Sequence, residues 1–327
     1  MRYLESGWTN PAMNLALEQY AFDTLALDGD LFMLWRNHDA VIVGSHQNTA
    51  AEVNLTYAEQ NGIEVVRRLS GGGAVFHDLG NLNFTFIVNE KSAEFLDIGQ
   101  FSTQIVNALK SIGLQTELSG RNDITLGGAK FSGTAGYYRD GRFMHHGTLL
   151  FDTDFDKMTE VLRVSDDKIV SKGVSSVRDR VTNIRRHLSN DMTMDEFLAH
   201  IRANIVGDTV AYTLIERDIG AVDEICRERY ANWEWNFGRS PGYGVVKKRF
   251  IPGFGSIRIS LDIRNGEITA FASDGDYFGD NSYTDVASAL IGAKHEKSAL
   301  RAALSGVVLS KYYRNLGEDE FISLILE

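Results

Sequence analysis

The sequence predicts an α+β protein with a mixed or mainly antiparallel sheet, on three observations. Strand-like and helix-like stretches follow one another without a steady βαβ rhythm. A strong hairpin signal occurs where Lys130–Tyr138 and Phe143–Phe151 flank Asp140-Gly141, the residue pair that a two-residue type I′ turn demands. The chain then changes character after Trp233-Glu234-Trp235, where a glycine-rich stretch from Phe237 to Gly244 carries Pro241 and reads as a boundary. Residues 1–243 are therefore expected to form one unit and residues 244–327 a small α+β unit of a size that folds as a domain.

The elements follow in order. Asn10-Pro11 starts a helix with proline at its first position, and Leu15, Leu17, Tyr20, Ala21 and Leu25 keep helical spacing to about Leu27. Leu31–Trp35 and Val41–Val43 read as strands joined at Asn37-His38-Asp39, and Asn54–Gly62 as a short helix. Strands run through Val65, through Val75 and from Asn83 to Val88. An amphipathic helix covers Phe101–Ile112 and ends at Gly113. Short strands near Gln115–Leu118 and Ile124 precede the hairpin. Helices are expected at Phe155–Leu162, Met194–Asn204 and Ile219–Tyr230. Beyond the boundary come strands Val245–Phe250, Ser256–Ile263 and Glu267–Ala272, then helices Tyr283–Ile291 and Lys297–Leu304.

Composition narrows the function classes. The chain has 327 residues, 43% of them hydrophobic, and a net charge of −11, which argues against broad nucleic-acid binding and against anionic membrane surfaces. One cysteine, Cys226, leaves no internal disulfide framework. The first residues lack the apolar core of a signal peptide and no run reaches membrane-span length. A cytoplasmic location is expected.

The chemistry concentrates in Val65–Val88, VVRRLSGGGAVFHDLGNLNFTFIV. Three consecutive glycines cost backbone entropy and are accepted where a backbone must approach something closely. Arg67, Arg68 and His77 beside them point to an anion such as a phosphate or carboxylate. The pattern is neither a P-loop nor a dinucleotide fingerprint, and strand character on both sides argues against a helix N-terminus as the phosphate ligand. Lys130, in a mostly apolar strand, needs a partner. His145 and His146 are adjacent on a strand and so face opposite ways, which disfavours a shared metal. Ser70 lacks a G-x-S-x-G elbow and no cysteine lies nearby, so a covalent nucleophile is disfavoured.

RRLSGGGAVFHDLGN, GRNDI, AKFSGTA, MHHGTLL and KGVSSVRDRVTN, in this order, resemble the lipoate–protein ligase A family through about Asn236, and the tail resembles that family's accessory domain more weakly. The resemblance implies a central mixed β-sheet flanked by helices, as in biotin ligases and class II synthetases, with a small C-terminal α+β accessory domain. It implies activation of free lipoic acid by ATP and Mg²⁺ to lipoyl-AMP with release of pyrophosphate. Transfer then goes to a lysine of an acceptor, either a lipoyl domain of a 2-oxoacid dehydrogenase E2 subunit or the glycine cleavage H protein, with no nucleic acid and no membrane involved. By the same resemblance Lys130 is catalytic, touching the α-phosphate and the lipoyl carbonyl. ATP and the adenylate would be bound by Leu69, Ser70, Gly73, Ala74, Val75, Phe76 and His77, together with Asn122, Lys130, Ala135, Arg178 and Arg180. Glu18, Trp35, Arg68, Met144 and His146 would line the lipoyl pocket, and Asp123 would help hold Mg²⁺. Lys172–Asn183 matches a loop that closes over the adenylate.

An ideal hairpin register instead puts Lys130 on the face of His145, and a bulge at Gly133 or Gly136 would restore His146. Two other readings compete. One is an ATP-independent octanoyl or lipoyl transferase, against which the missing site cysteine counts. The other is a non-catalytic paralogue that binds lipoyl domains. A biotin ligase is disfavoured because no GRGRRG-type loop is present.

Overall fold

The apolar runs Leu31–Trp35, Asn81–Asn89 and Arg142–Leu150 form the middle of a sheet because each is buried on both faces. The computed structural model describes residues 1–89, 99–119, 123–162, 180–237, 245–264 and 266–326. Its strands are β1 (Arg2–Glu5), β2 (Leu31–Trp35), β3 (Ala40–Val43), β4 (Glu64–Arg67), β5 (Val75–His77), β6 (Asn81–Asn89), β7 (Thr116–Ser119), β8 (Asp123–Leu126), β9 (Ala129–Arg139) and β10 (Arg142–Leu150). The large sheet has seven strands in the order β1-β2-β6-β10-β9-β8-β7, parallel only between β1 and β2. Helix Pro11–Asp23, Val222 of helix Glu216–Ile225, and Cys226 and Tyr230 of the π-type turn after it cover one face. Helices Gly99–Lys110 and Met194–Val206 cover the other, through Phe101, Ile105, Phe197 and Ile201. A second sheet, β4-β3-β5, stands beside the first and leaves β5 as an edge.

The expected hairpin is present: Asp140 and Gly141 both take positive φ, 51° and 73°, as a type I′ turn requires. Helix Pro11–Asp23 stops short of Leu27, because a 3₁₀ turn, Leu25–Asp28, follows it. The expected helix to Tyr230 is α-helical only over Glu216–Ile225 and then widens to a π-type turn, Cys226–Tyr230. Several elements were not expected from the sequence, among them the first strand and the last helix. Strand β1 is four residues long and pairs with distant β2. The final helix, Glu318–Leu326, ends in an apolar run without helical periodicity.

Beyond the boundary, β11 (Val245–Ile251), β12 (Gly255–Arg264) and β13 (Glu267–Asp276) form a three-stranded antiparallel sheet. It packs on helices Thr284–Leu290, Lys297–Leu304 and Glu318–Leu326 around Tyr277, Tyr313 and Phe321. This core shares no residue with those of the first 230 residues.

One irregularity positions the site. Ile124 pairs with Ser132, but Thr125 pairs with Lys130, so Phe131 is an extra residue in β9. The bulge is therefore at Phe131–Ser132, not at Gly133 or Gly136. It lets Phe131 stay in the apolar core while Lys130 turns to the face of Gly133, Ala135 and His146.

Candidate active site

The glycine triplet lies between β4 and β5, and only Gly72 has a positive φ, 90°. The two neighbouring glycines are needed for close approach. A Cβ on Gly71 would stand 2.4 Å from the Tyr277 carbonyl oxygen, and one on Gly73 would stand 3.2 Å from the Asp276 carboxylate. In this structure the partner pressed against the glycines is the end of β13.

The flanking arginines correct the anion reading. All five donors of Arg67 are spent inside the protein. Nε–H donates to the Trp235 carbonyl (2.9 Å), Nη1 to those of Gly44 and Gln47 (2.7 Å each), and Nη2 to Thr49 Oγ1 (2.8 Å) and the Asn236 carbonyl (3.3 Å). Arg67 is a staple between the Gly44–Thr49 turn and the Trp233–Asn236 helix. Arg68 donates to Ser70 Oγ (3.0 Å) and to the carbonyls of Ile42, Gly71 and Gly73 (3.0, 2.7 and 2.8 Å). Burial lowers both guanidinium pKa values to about 10, partly offset for Arg68 by the carboxylates of Asp276 and Glu18.

A chain of buried hydrogen bonds runs from Arg68 across the sheet. Ser70 Oγ is 2.6 Å from His146 Nε2, and His146 Nδ1 is 2.9 Å from Glu18 Oε1. Thr85 donates to the same Glu18 oxygen at 2.6 Å and accepts from Trp35 Nε1 at 3.0 Å. Trp35 and Met144 belong to the apolar cluster on this face, with Leu69, Val75 and Tyr137 packed against it. The structure thus brings Glu18, Trp35, Arg68, Ser70 and His146 together. His145 lies on the opposite face, its ring 5.5 Å from Phe101. Sequence reasoning passed over Thr85, although a hydroxyl inside the run Phe84-Thr85-Phe86 was a usable signal.

His77 sits at the end of β5 with its Nδ1 3.1 Å from Asn37 Nδ2. The amide donates, so the ring proton is on Nε2, which is buried without a hydrogen-bond partner. Burial pushes the His77 pKa down to about 3, helped by the charge of Arg68. Phe76 points into a core, so only its main chain is open to a ligand, while Ala74 and Val75 are half-buried. Lys130 Nζ lies 2.8 Å from Asp123 Oδ1, both partly exposed, and its stem passes over Gly133, where a Cβ would meet Nζ at 2.9 Å. The Thr182 amide donates to the Lys130 carbonyl at 2.8 Å, so the half-buried Arg180 is held close to the lysine in the chain. Asn122 and Arg178 lie outside the described residues.

The C-terminal domain meets this site. Gly72 N–H donates to the Tyr277 carbonyl (3.2 Å) and Gly275 N–H to the His46 carbonyl (2.7 Å). The His46 and Tyr277 rings stack at 4.9 Å. A cleft of about 690 Å³ opens along this seam, with Leu69, Tyr137 and Arg139 on one wall and Asp274 and Tyr283 on the other. Gly71→Ala drives a Cβ into the Tyr277 carbonyl and is expected to part the two domains, seen as faster amide exchange at Gly72 and Gly275 with the catalytic-side core unchanged.

Burial lowers the pKa of His46 to about 4 and that of His145 to about 3. An unfolded chain protonates these rings, and His77, near pH 6.5. Between that pH and the folded values the unfolded state binds more protons, so their stabilisation is complete above pH 6.5 and is lost on acidification. Thermal midpoints are expected to fall steadily from pH 6.5 to 4, and His46→Phe is expected to flatten that slope.

Among the described residues no cluster of three His, Cys, Asp or Glu side chains exists that could hold a metal alone. Asp123 is a single carboxylate beside Lys130, which suits an ion carried mainly by phosphates.

Residues 10–206 match the family described as lipoyl protein ligase A/B catalytic domain, and residues 240–325 match that described as bacterial lipoate protein ligase C-terminus. The chain is 41% identical over 321 residues to lipoate-protein ligase LplJ of Bacillus subtilis and 39% identical over 320 residues to lipoate–protein ligase 1 of Staphylococcus aureus, covering 97% of each chain in both cases. Among solved structures, LipL1 of P. falciparum in complex with lipoate superposes with a TM-score of 0.80 over 99% of both chains at 23% identity, a likeness of fold. A lipoate-protein ligase A bound with ATP is 30% identical with a TM-score of 0.62, covering 72% of this chain and 98% of its own. A bi-partite lipoate protein ligase with its E2 lipoyl domain, from Thermoplasma acidophilum, gives 30% and 0.65 over 75% and 98%.

Proposed function

The chain belongs to the lipoate–protein ligase family, and from that membership we propose how its own residues carry out ATP-dependent lipoate ligation. The observation that carries the reading is the Phe131–Ser132 bulge, which turns the Lys130 ammonium toward the face of Ala135 and His146. Residues 1–243 supply the catalytic domain and residues 244–327 the accessory domain. The acyl chain lies against Trp35 and Met144, with Glu18, Arg68 and His146 fixing the polar end of that pocket. The nucleotide runs along Leu69, Ser70, Gly73 and the edge strand Ala74–His77, with Ala135 and Arg180 beside it, and with Asn122 and Arg178 completing it.

A carboxylate is a poor acylating agent until its oxygen becomes part of a good leaving group, and AMP provides that. The lipoate oxygen attacks the α-phosphate and pyrophosphate leaves. The acceptor amine then attacks the acyl carbon and AMP leaves. Both steps build negative charge on oxygen, where a fixed ammonium acts more strongly than water. Lys130 touches both centres, the buried N–H of His77 is a second donor available to a ligand, and Asp123 helps hold Mg²⁺ on the phosphates. Lys172–Asn183, of which residues 172–179 lie outside the described residues, is in this reading the segment that closes over the adenylate and excludes water.

The acceptors are lipoyl domains of 2-oxoacid dehydrogenase E2 subunits, glycine cleavage H protein, or both. The ligase works in the cytoplasm. No described helix is long and apolar enough to cross a membrane. The test is lipoate-dependent exchange of labelled pyrophosphate into ATP. Robust exchange is expected, and its absence, with retained binding of lipoyl domains, would favour a non-catalytic paralogue.

A further inference from the structure

The turn Asn37-His38-Asp39 reads in the sequence as an ordinary link between two strands. In the structure Asn37 is buried, as are Asn14, Asn83 and His77. Buried amides are tolerated when their bonds are made, and the bonds of these amides converge on one nitrogen. Asn14, on helix Pro11–Asp23, turns its Nδ2 to the main-chain carbonyls of Trp8 (3.1 Å) and Arg36 (2.8 Å). A carbonyl only accepts, so that atom of Asn14 is the nitrogen, and its oxygen is the one that accepts from Ser6 Oγ–H. The same Nδ2 donates to Asn37 Oδ1 at 2.8 Å. Asn37 therefore presents its own Nδ2 to His77 Nδ1, 3.1 Å away. Asn83 Nδ2 approaches that nitrogen as well, at 3.5 Å, while its Oδ1 accepts from Asn81 at 2.9 Å. With donors on both sides, His77 Nδ1 is a lone pair and the ring proton is on Nε2. Two amides thus transmit a choice of tautomer from the carbonyls of Trp8 and Arg36. The Nε2–H at the end of this relay is buried with no partner inside the protein. The Trp35 ring stands edge-on to the imidazole with centroids 5.9 Å apart, so the donor lies between the acyl wall and the edge strand.

We propose that Asn37, itself oriented by Asn14, is a positioning residue for adenylation: it locks His77 in the tautomer whose Nε2–H donates to an oxygen that gains charge as the carboxylate joins the α-phosphate. The proposal rests on the ligase reading of this site and deepens it. Burial keeps the ring neutral, with its pKa down at about 3. A neutral donor suits a site that already holds the cations Lys130 and Arg68. It stabilises charge that develops in the transition state without holding the ground-state carboxylate as a further ion pair. Asn37 touches no substrate and acts only through the imidazole.

The test is NMR of the full-length protein labelled with ¹⁵N-histidine, with lipoate-dependent pyrophosphate exchange measured on the same preparations. In the wild-type protein His77 Nε2 is expected to carry the bonded proton at about pH 8 and at about pH 6 alike, on either side of an ordinary histidine's titration. Its signal is expected to move when an acyl-sulfamoyl adenosine, a stable analogue of the adenylate, is added. Asn37→Asp keeps the shape: one carboxylate oxygen still accepts from Asn14, and the other, now an acceptor, draws the proton to His77 Nδ1. At about pH 8 the variant's kcat for exchange is expected to fall by on the order of 100-fold, with KM for lipoate and ATP little changed. On acidification its exchange should recover relative to wild type, because the new carboxylate favours the doubly protonated ring, which regains Nε2–H. Arg68 and the His146–Glu18 pair also face the ring. They are the same in both proteins, so the difference between the two pH profiles belongs to His77. A proton on Nδ1 in the wild-type protein overturns the proposal whether or not the variant folds. So does a near-native kcat in Asn37→Asp, or a loss that is the same at every pH. Robust wild-type exchange with a Nε2–H signal indifferent to the analogue overturns the positioning role alone. No wild-type exchange removes the ligase reading, and the proposal with it.

Discussion

Lys130→Ala is expected to lower lipoate-dependent pyrophosphate exchange by on the order of 10²–10³-fold, the range seen when one preorganised donor to a developing oxyanion is removed. The loss should appear in kcat, because the interaction strengthens as the α-phosphate accumulates charge. Folding should survive. The side chain is partly exposed, its pairing is with a partly exposed Asp123, and such pairs contribute little to stability. The main-chain bond from Thr182 to the Lys130 carbonyl does not depend on the side chain. A Lys130→Ala protein with near-native exchange would remove the lysine from the mechanism.

Arg67→Met is the second large effect, and it acts on structure rather than chemistry. It deletes five donors and leaves buried carbonyls of Gly44, Gln47, Trp235 and Asn236 short of partners. The cost is expected to be about 3 kcal/mol or more, since unsatisfied buried groups forfeit their full desolvation energy. Unfolding midpoints should drop, and the fluorescence of Trp235, whose indole N–H donates to the Arg67 carbonyl at 2.8 Å, should report loosening early. Arg67→Lys should not rescue, because one ammonium cannot span the fork. An unchanged midpoint with a raised KM for ATP would instead make Arg67 an anion ligand.

The contrast between these two cations shows what the sequence could and could not reveal. Arg67 and Arg68 beside three glycines look like anion ligands from spacing alone, but a guanidinium's partners are set by which distant carbonyls the fold delivers. For Arg67 those carbonyls come from the turn at Gly44 and from Trp235 far along the chain, and for Arg68 from Ile42 in β3 and from the glycine turn itself. The strand character of Asn81–Asn89 and of the Asp140-Gly141 hairpin was legible because the alternation of Leu82, Phe84, Phe86 and Val88 and the turn chemistry are local. The bulge at Phe131 was not, because no glycine or proline marks it. What forces it is the need to bury Phe131 while exposing Lys130. The glycine triplet was legible as a place of close approach. That the approaching backbone in this structure is Asp276–Tyr277 depends on how two domains dock, and that leaves no mark in a local sequence window. Five ordered motifs carried the family, and the hydrogen-bond chain from Arg68 through Ser70 and His146 joins two of them to Glu18 on the first helix.

The most direct test of ATP-dependent ligation is to incubate the protein with ATP, magnesium and free lipoic acid, then add an acceptor lipoyl domain and read the acceptor's intact mass. The account predicts lipoyl-AMP retained on the enzyme before addition and a single lipoyl group on the acceptor lysine after it, both abolished when ATP is withheld. An acceptor left unmodified with ATP present, or modified equally well by free lipoic acid without it, would contradict the account.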